Sequence, residues 1–293
     1  MYDVNNIYEA FSIEEAVRLK VEHPDAKIIA GGSDVLIQIR EGKLAGVDLI
    51  SIQMIDELRG VSMLPDGSIL IKPLTSFYEV TYNEIIERYL PTLGYAVDQV
   101  GGPQIRNIGT IGGNICNGVT SADSAATLKA YDAVLKITGP DGKRTMPYLD
   151  FSLGVGKVDL REGEILTGII VPKESYERTY GHYIKYAMRK AMDIATMSCS
   201  ANVRLSKDLK TVDRFRIAFG VAAPVPTRAV SAEAAVQGMP VGEALLDTVS
   251  KAVLQDLNPR SSWRAGKEFR LQLIKEMARR CTKEAITKAG GKI

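Results

Sequence analysis

Cysteine, histidine and tryptophan are scarce in this chain: three, two and one in 293 residues. Cys116, Cys199 and Cys281 lie far apart and are odd in number. That excludes a disulfide framework and any locally built CxxC metal or cluster site. With only His23 and His182 available, a histidine-rich metal centre is excluded as well. No run approaches the about 18 apolar residues of a membrane-spanning helix. The opening MYDVNNIYEAFSIEE carries acids early and lacks the apolar core of a signal peptide. An excess of one charge is also missing. Thirty-seven Lys and Arg against thirty-five Asp and Glu leave +2, too little to recruit nucleic acid or a membrane surface. What is there is an ordinary soluble composition, 45% hydrophobic and 25% charged, read as cytoplasmic. The length suits about two domains, each able to bury an adequate core.

Local signals place the elements. Ser12 with Glu15 forms a capping box ahead of Ile13, Ala16, Val17 and Val21 on one helical face, ending near Pro24. Residues 27–30 read as a short buried strand, broken by Gly31 and Gly32; Ser33 and Asp34 follow, then a helix over 35–40. A strand covers 47–52. Hairpins are expected about Asp66–Gly67 and Asp141–Gly142. Ser76 with Glu79 is a second capping box, and a helix runs from Pro91 to about Val100. A glycine-rich passage, QIRNIGTIGGNICNG, precedes a helix near 124–131, and a strand over 164–171 ends at Pro172. The polar, charged stretch 173–179 marks a boundary, giving domains 1–174 and 175–293. Beyond it, 180–188, 195–205 and 212–221 read as three antiparallel strands. Two or three helices finish the chain, the last with Leu273, Ile274, Met277, Cys281 and Ala285 at helical spacing. Strands followed by helices indicate an α+β domain.

Two glycine turns carry the chemistry. Gly31–Gly32 removes side chains where a strand meets a helix, so backbone N–H groups can approach an anion beside a helix N-terminus. Thr110, Ile111, Gly112, Gly113 and Asn114 repeat that chemistry with a hydroxyl, two glycines and an amide. Two such turns in one domain point to a pyrophosphate held from both sides. Neither is a GxGxxG, so a Rossmann fingerprint is missing. Gly154–Val155–Gly156–Lys157 lacks the earlier glycine and the following Ser/Thr of a Walker A loop.

These segments carry a resemblance. AGGSDVLIQIR (30–40), QIRNIGTIGGNICN (104–117), SADSAATLKAYDA (121–133) and KYAMRKAMDIA (185–195) resemble the FAD-binding subunits of the molybdenum hydroxylases, bacterial xanthine dehydrogenases in particular. The likeness runs from the first helix to SSWRAGKEFR (261–270). It implies an α+β chain: a two-subdomain FAD-binding fold of the vanillyl-alcohol-oxidase (PCMH) type, then a C-terminal domain of a three-stranded antiparallel sheet with helices. It implies that Ile28, Ile29, Ala30, Gly31, Gly32, Ser33, Asp34 and Val35 form the first FAD loop. Thr110 to Asn114 then form the second, with the Thr110 hydroxyl as an extra donor. Asp123 matches an aspartate that accepts hydrogen bonds from the adenosine side of FAD. Leu166 and Lys185 match positions beside the flavin and its tail. Val100 stands where the family often has an aromatic residue, so stacking is lost there.

Plainer readings stand beside these. Asp123 could cap the following helix, Leu166 could be core, and Lys185 could be a surface lysine in a strand. Tyr183 could lie near the isoalloxazine or simply pack. Arg106 could steady the second loop or the phosphates, or pair with a surface acid. Asp193 could orient 185–189 or solvate a turn. Cys116 reads as a small buried hydrophobe, and His182 as uninvolved. The stretch 262–270 could face a partner or open a helix.

As to mechanism, the resemblance implies that FAD here converts one-electron iron–sulfur transfer into two-electron reduction of NAD⁺. The cysteines cannot supply a [2Fe–2S] cluster. A small iron–sulfur subunit and a large molybdopterin-binding subunit are therefore expected as partners, with purine as substrate and no nucleic acid or membrane. Alternatives are a complex oxidising nicotinate, an aldehyde or CO, a standalone flavin oxidoreductase, and a non-redox nucleotide-binding scaffold.

Overall fold

The computed structural model describes residues 2–293. Its N-terminal layer is a parallel sheet in the order Val4–Glu9, Val47–Ser51, Lys27–Ile29. Parallel neighbours need crossovers, and the helices Ile13–Glu22 and Val35–Arg40 supply them. Ser12 caps the first helix, its hydroxyl accepting the Glu15 N–H at 3.1 Å. The Glu15 carboxylate, however, takes the Phe11 N–H at 3.0 Å, so the expected box closes one residue early. Val21 lies exposed rather than on the buried face, which Ala16, Val17 and Leu19 form.

The second layer is an antiparallel sheet in the order Val61–Met63, Ile69–Ile71, Ile165–Val171, Val134–Gly139, Gly142–Pro147. Both hairpins form where the Asp-Gly pairs demand φ above zero: Gly67 at +81° and Gly142 at +112°. The capping box at Ser76 and Glu79 closes in both directions. Helices Pro91–Asp98 and Asp123–Ala130 cover this sheet, and their Leu93, Val97, Ala125 and Leu128 share one core with Ile69, Leu135 and Ile169.

The C-terminal sheet holds the three expected strands, Tyr180–Tyr186, Met197–Leu205 and Val212–Gly220, and a fourth of two residues, Thr227–Arg228. Helices Val230–Val236 and Lys267–Lys288 pack on it, and Glu243–Ala252 packs against those two helices. The last buries Ile274, Met277, Cys281 and Ala285, with Leu273 half-buried. Among the described residues no helix is long and apolar enough to cross a membrane.

The Asp123–Ala130 helix is buried along its whole length because the C-terminal sheet covers one face and the Pro91–Asp98 helix with the central core the other. Ala126 and Ala130 meet Ala218, small residues that let the C-terminal sheet approach. Asp132 anchors the same junction by accepting from Arg214, Arg216 and Arg228. Lys129 is only 2% exposed, its ammonium donating to the Leu149 carbonyl at 2.9 Å and lying 5.1 Å from the Tyr148 ring centroid. Burial pulls its pKa from 10.5 down to about 8. Between those values the unfolded chain binds more protons than the folded one, so stability rises with pH there. Lys129→Met should flatten that rise, worth roughly 3 kcal/mol in full. Denaturant midpoints at pH 7.5, 9 and 10 check it, and an unchanged slope would clear Lys129 of the effect.

Candidate functional site

The strand Lys27–Ile29 delivers Gly31 against the backbone of Ile108 and Gly109. A Cβ on Gly31 would fall 2.6 Å from the Ile108 carbonyl carbon and closer still to its oxygen. The two glycine segments therefore touch, and only glycine fits between them. Gly32, at φ +71°, turns the chain into the Val35–Arg40 helix. The amide N–H groups of Gly31, Gly32, Ser33, Asp34 and Val35 find no acceptor among the described residues.

The second segment is built differently from the expected turn. Thr110 is the N-cap of a helix, Ile111–Cys116, whose first turn contains both glycines. The amides there are already engaged: Ile111 N–H on Thr75 O at 3.0 Å, Gly112 N–H on Pro73 O at 2.9 Å. Gly113 N–H bonds the Thr110 hydroxyl oxygen at 3.1 Å, and Asn114 N–H the Thr110 carbonyl at 3.0 Å. Gly112 is a packing residue, since a Cβ would meet Pro73 O at 2.7 Å. Gly113 is exposed, and its Cβ would meet only Thr110 Oγ1, at 2.9 Å. Three donors stay free of acceptors among the described residues: the Thr110 N–H, the Thr110 O–H and the Asn114 side-chain amide. Asn114 Oδ1 accepts from Ser124 Oγ at 2.7 Å, which docks this segment on the Asp123–Ala130 helix.

Asp123 opens that helix but caps nothing; the N-cap is Ala122, without a side-chain bond. Instead, Tyr183 Oη donates to Asp123 Oδ1 at 2.7 Å and Lys185 Nζ to Oδ2 at 2.8 Å. Lys185 also donates to the Gln99 carbonyl at 2.8 Å. The Lys185 and Asp123 side chains are 6% and 7% exposed, so Lys185 is no surface lysine. It reaches from the C-terminal sheet into the first domain. Burial raises the Asp123 pKa against the opposing pull of Lys185 and Tyr183. The Tyr183 phenol is raised well above its usual value by burial and by the Asp123 charge. Unengaged amides on one glycine segment, free side-chain donors on the other and two bare glycines fit the diphosphate of a dinucleotide.

A family model described as the FAD binding domain in molybdopterin dehydrogenase matches residues 2–174. The chain belongs to this family of FAD-binding subunits. A second model, the CO dehydrogenase flavoprotein C-terminal domain, matches residues 182–285. The chain is similar to the xanthine dehydrogenase FAD-binding subunit of Escherichia coli, 44% identical over 293 residues and all of both chains. It is 30% identical over 276 residues, 94% of each chain, to the carbon monoxide dehydrogenase medium chain of Hydrogenophaga pseudoflava. The solved structure of carbon monoxide dehydrogenase from that organism superposes with a TM-score of 0.92, covering 99% of each chain at 30% identity.

The remaining candidate residues of this FAD-binding subunit are held by core packing and local hydrogen bonds. Val100 is half-buried against the central core, next to the Gln99 carbonyl that Lys185 holds. Leu166 is 5% exposed, opposite Ile137 and in one core with Ile111 and Ile115. Ile28 and Ala30 pack on the N-terminal core, with Ile29 half-buried between them. Arg106 pairs with Asp98 at 3.1 Å and donates to the carbonyls of Val100 and Gly101, so it steadies the turn ahead of the second segment. Asp193 accepts the Arg189 and Ile194 N–H groups at 2.9 and 3.0 Å and holds the 188–194 loop. Cys116 is half-buried against the central core, and the loss of water around its sulfur pushes the thiol up to about 12, the state of an unreactive group. No cluster of His, Cys, Asp and Glu suited to a metal occurs among the described residues. Reading the sequence missed the Gln99 carbonyl and the Pro73 and Thr75 carbonyls. A backbone carbonyl leaves no signature in residue type.

Proposed function

We propose that this subunit belongs to a xanthine dehydrogenase and passes electrons, received from iron–sulfur clusters of a partner chain, through FAD to NAD⁺. The observation that carries this reading is the 44% identity over the full length of the Escherichia coli subunit. Three cysteines, two of them buried, leave the clusters to a small partner subunit and the molybdopterin to a large one. FAD when bound accepts electrons singly and releases them as a hydride.

The chain's own residues do the positioning. Gly31, Gly32, Ser33, Asp34 and Val35 would direct N–H groups at the diphosphate from one side. Thr110 and Asn114 would donate from the other, with Gly113 giving the cofactor room to approach. Asp123 has two of its roughly four lone-pair sites engaged, leaving acceptor capacity for ribose hydroxyls. Lys185 and Tyr183 fix the orientation of that carboxylate. Val100, half-buried, would offer apolar surface to the cofactor, with Leu166 packed in the core and 5% exposed. The domains are assigned as 1–174 and 175–293, and the complex as cytoplasmic. Nicotinate, aldehyde and CO are the alternative substrates of the complex.

An absorption spectrum of the purified chain, before and after adding FAD and then NADH without air, tests the reading. Flavin bands that appear and then bleach with NADH are expected. Uptake without bleaching would retain the FAD site and reject NAD⁺ as partner. No uptake by folded chain would reject both.

A further inference from the structure

A cleft of about 930 Å³ opens where the Pro91–Asp98 helix, the 173–179 connection and the Tyr180–Tyr186 strand meet. None of residues 28–35, 110–114, 123, 166 or 185 lines it, and only Tyr183, whose hydroxyl holds Asp123, is shared with the proposed FAD site. Its walls are aromatic. Tyr89 and Tyr176 stand 5.4 Å apart between ring centroids, and Tyr95 and Tyr180 are about half exposed, at 54% and 47%. Its floor is fixed. Gly181 has no room for a side chain, since a Cβ would fall 2.6 Å from Thr92 Oγ1, and Tyr183 is 1% exposed.

Its charge is one-sided. Arg88, Lys173, Arg178 and Lys288 line it against a single carboxylate, Glu177, which pairs with Lys173 at 3.4 Å. Arg178 donates to the Leu205 carbonyl at 3.2 Å and Lys288 to that of Gly181 at 3.0 Å. Neither these two nor Arg88 has an acidic partner among the described residues. The Arg88 guanidinium lies 5.2 Å from the Tyr89 ring centroid, which places charge directly beside a π face. In a chain whose whole balance is +2, unpaired cations on one cleft are a local concentration. Rings give a flat ligand its stacking surface, and cations beside them select an anion.

We propose that this cleft binds a planar aromatic anion of the nucleoside-phosphate class, at a site distinct from the FAD site. Calorimetric titration of 5′-AMP and 5′-GMP into the full chain, kept saturated with FAD, tests it. One site is expected, with adenosine and inorganic phosphate each binding at least about tenfold more weakly, because each carries only half of the chemistry. Arg88→Ala and Lys288→Ala, both outside the FAD segments, should each weaken the nucleotide about tenfold and leave FAD affinity unchanged. No heat with either nucleotide would overturn the proposal, as would titrations that neither variant alters. Nucleotide binding that vanishes when the iron–sulfur and molybdenum chains assemble would assign the cleft to a protein contact, and so overturn it too.

Discussion

Gly31→Ala should yield a chain that neither holds FAD nor melts at the wild-type temperature. Its Cβ has nowhere to go, since the Ile108 carbonyl occupies that space and is backbone rather than the movable end of a side chain. Relief requires the two glycine segments to separate, at roughly 3 kcal/mol by the usual cost of overpacking. At about 2–4 °C for each kcal/mol, the melting temperature should fall by several degrees. Gly113→Ala is the matched control. Its methyl would meet only the Thr110 hydroxyl at 2.9 Å, and the residue lies in a helix where Ala outranks Gly. Its melting temperature without FAD should hold or rise, while FAD affinity falls at least about tenfold as the methyl fills the approach to the phosphates. The two measurements, thermal melting without FAD and FAD titration, separate the roles. Wild-type FAD affinity in Gly113→Ala would mean that the second segment does not face the cofactor.

That contrast also shows where the sequence was legible. A glycine pair announces close approach, but not what approaches. In each pair the first glycine packs on protein backbone, while the second meets only side chains, Leu36 and Ile29 at Gly32 and Thr110 at Gly113, with Gly32 also held at φ +71°. The hairpins at Gly67 and Gly142 and the box at Ser76 were readable because each is decided within a few residues. The 110–114 segment was not. Two adjacent glycines argue against a helix by propensity, yet the Thr110 cap and the carbonyls of Pro73 and Thr75 impose one. Lys185 could be read either as a residue beside the flavin or as an ordinary strand lysine at the surface. Its burial is decided by Asp123 and Gln99, in another domain. The fourth strand of the C-terminal sheet, Thr227–Arg228, is too short to carry any alternation.

Lys185→Met should be the most destabilising change in the second half of the chain, at roughly 3–5 kcal/mol. It leaves the Asp123 carboxylate buried with Tyr183 as its remaining side-chain donor. Asp123→Leu should cost a similar amount by stranding the ammonium, with only the Gln99 carbonyl to accept from it. Combining the two removes both charges, so the double variant should recover most of the lost stability. FAD binding should not recover with it, because the acceptor proposed for the ribose is gone. The sign of the pH dependence follows from burial. A carboxyl whose folded pKa lies above its unfolded value binds its proton more tightly when folded, so the folded state gains as pH falls. Burial already raises Asp123 in the wild type, and Lys185 opposes that rise. Without the lysine the rise is larger. The deficit of Lys185→Met against wild type should therefore shrink from neutral to mildly acidic pH as Asp123 takes up its proton. A deficit constant over that range would mean that the lysine contributes packing and not charge, and a double variant no more stable than either single would say the same.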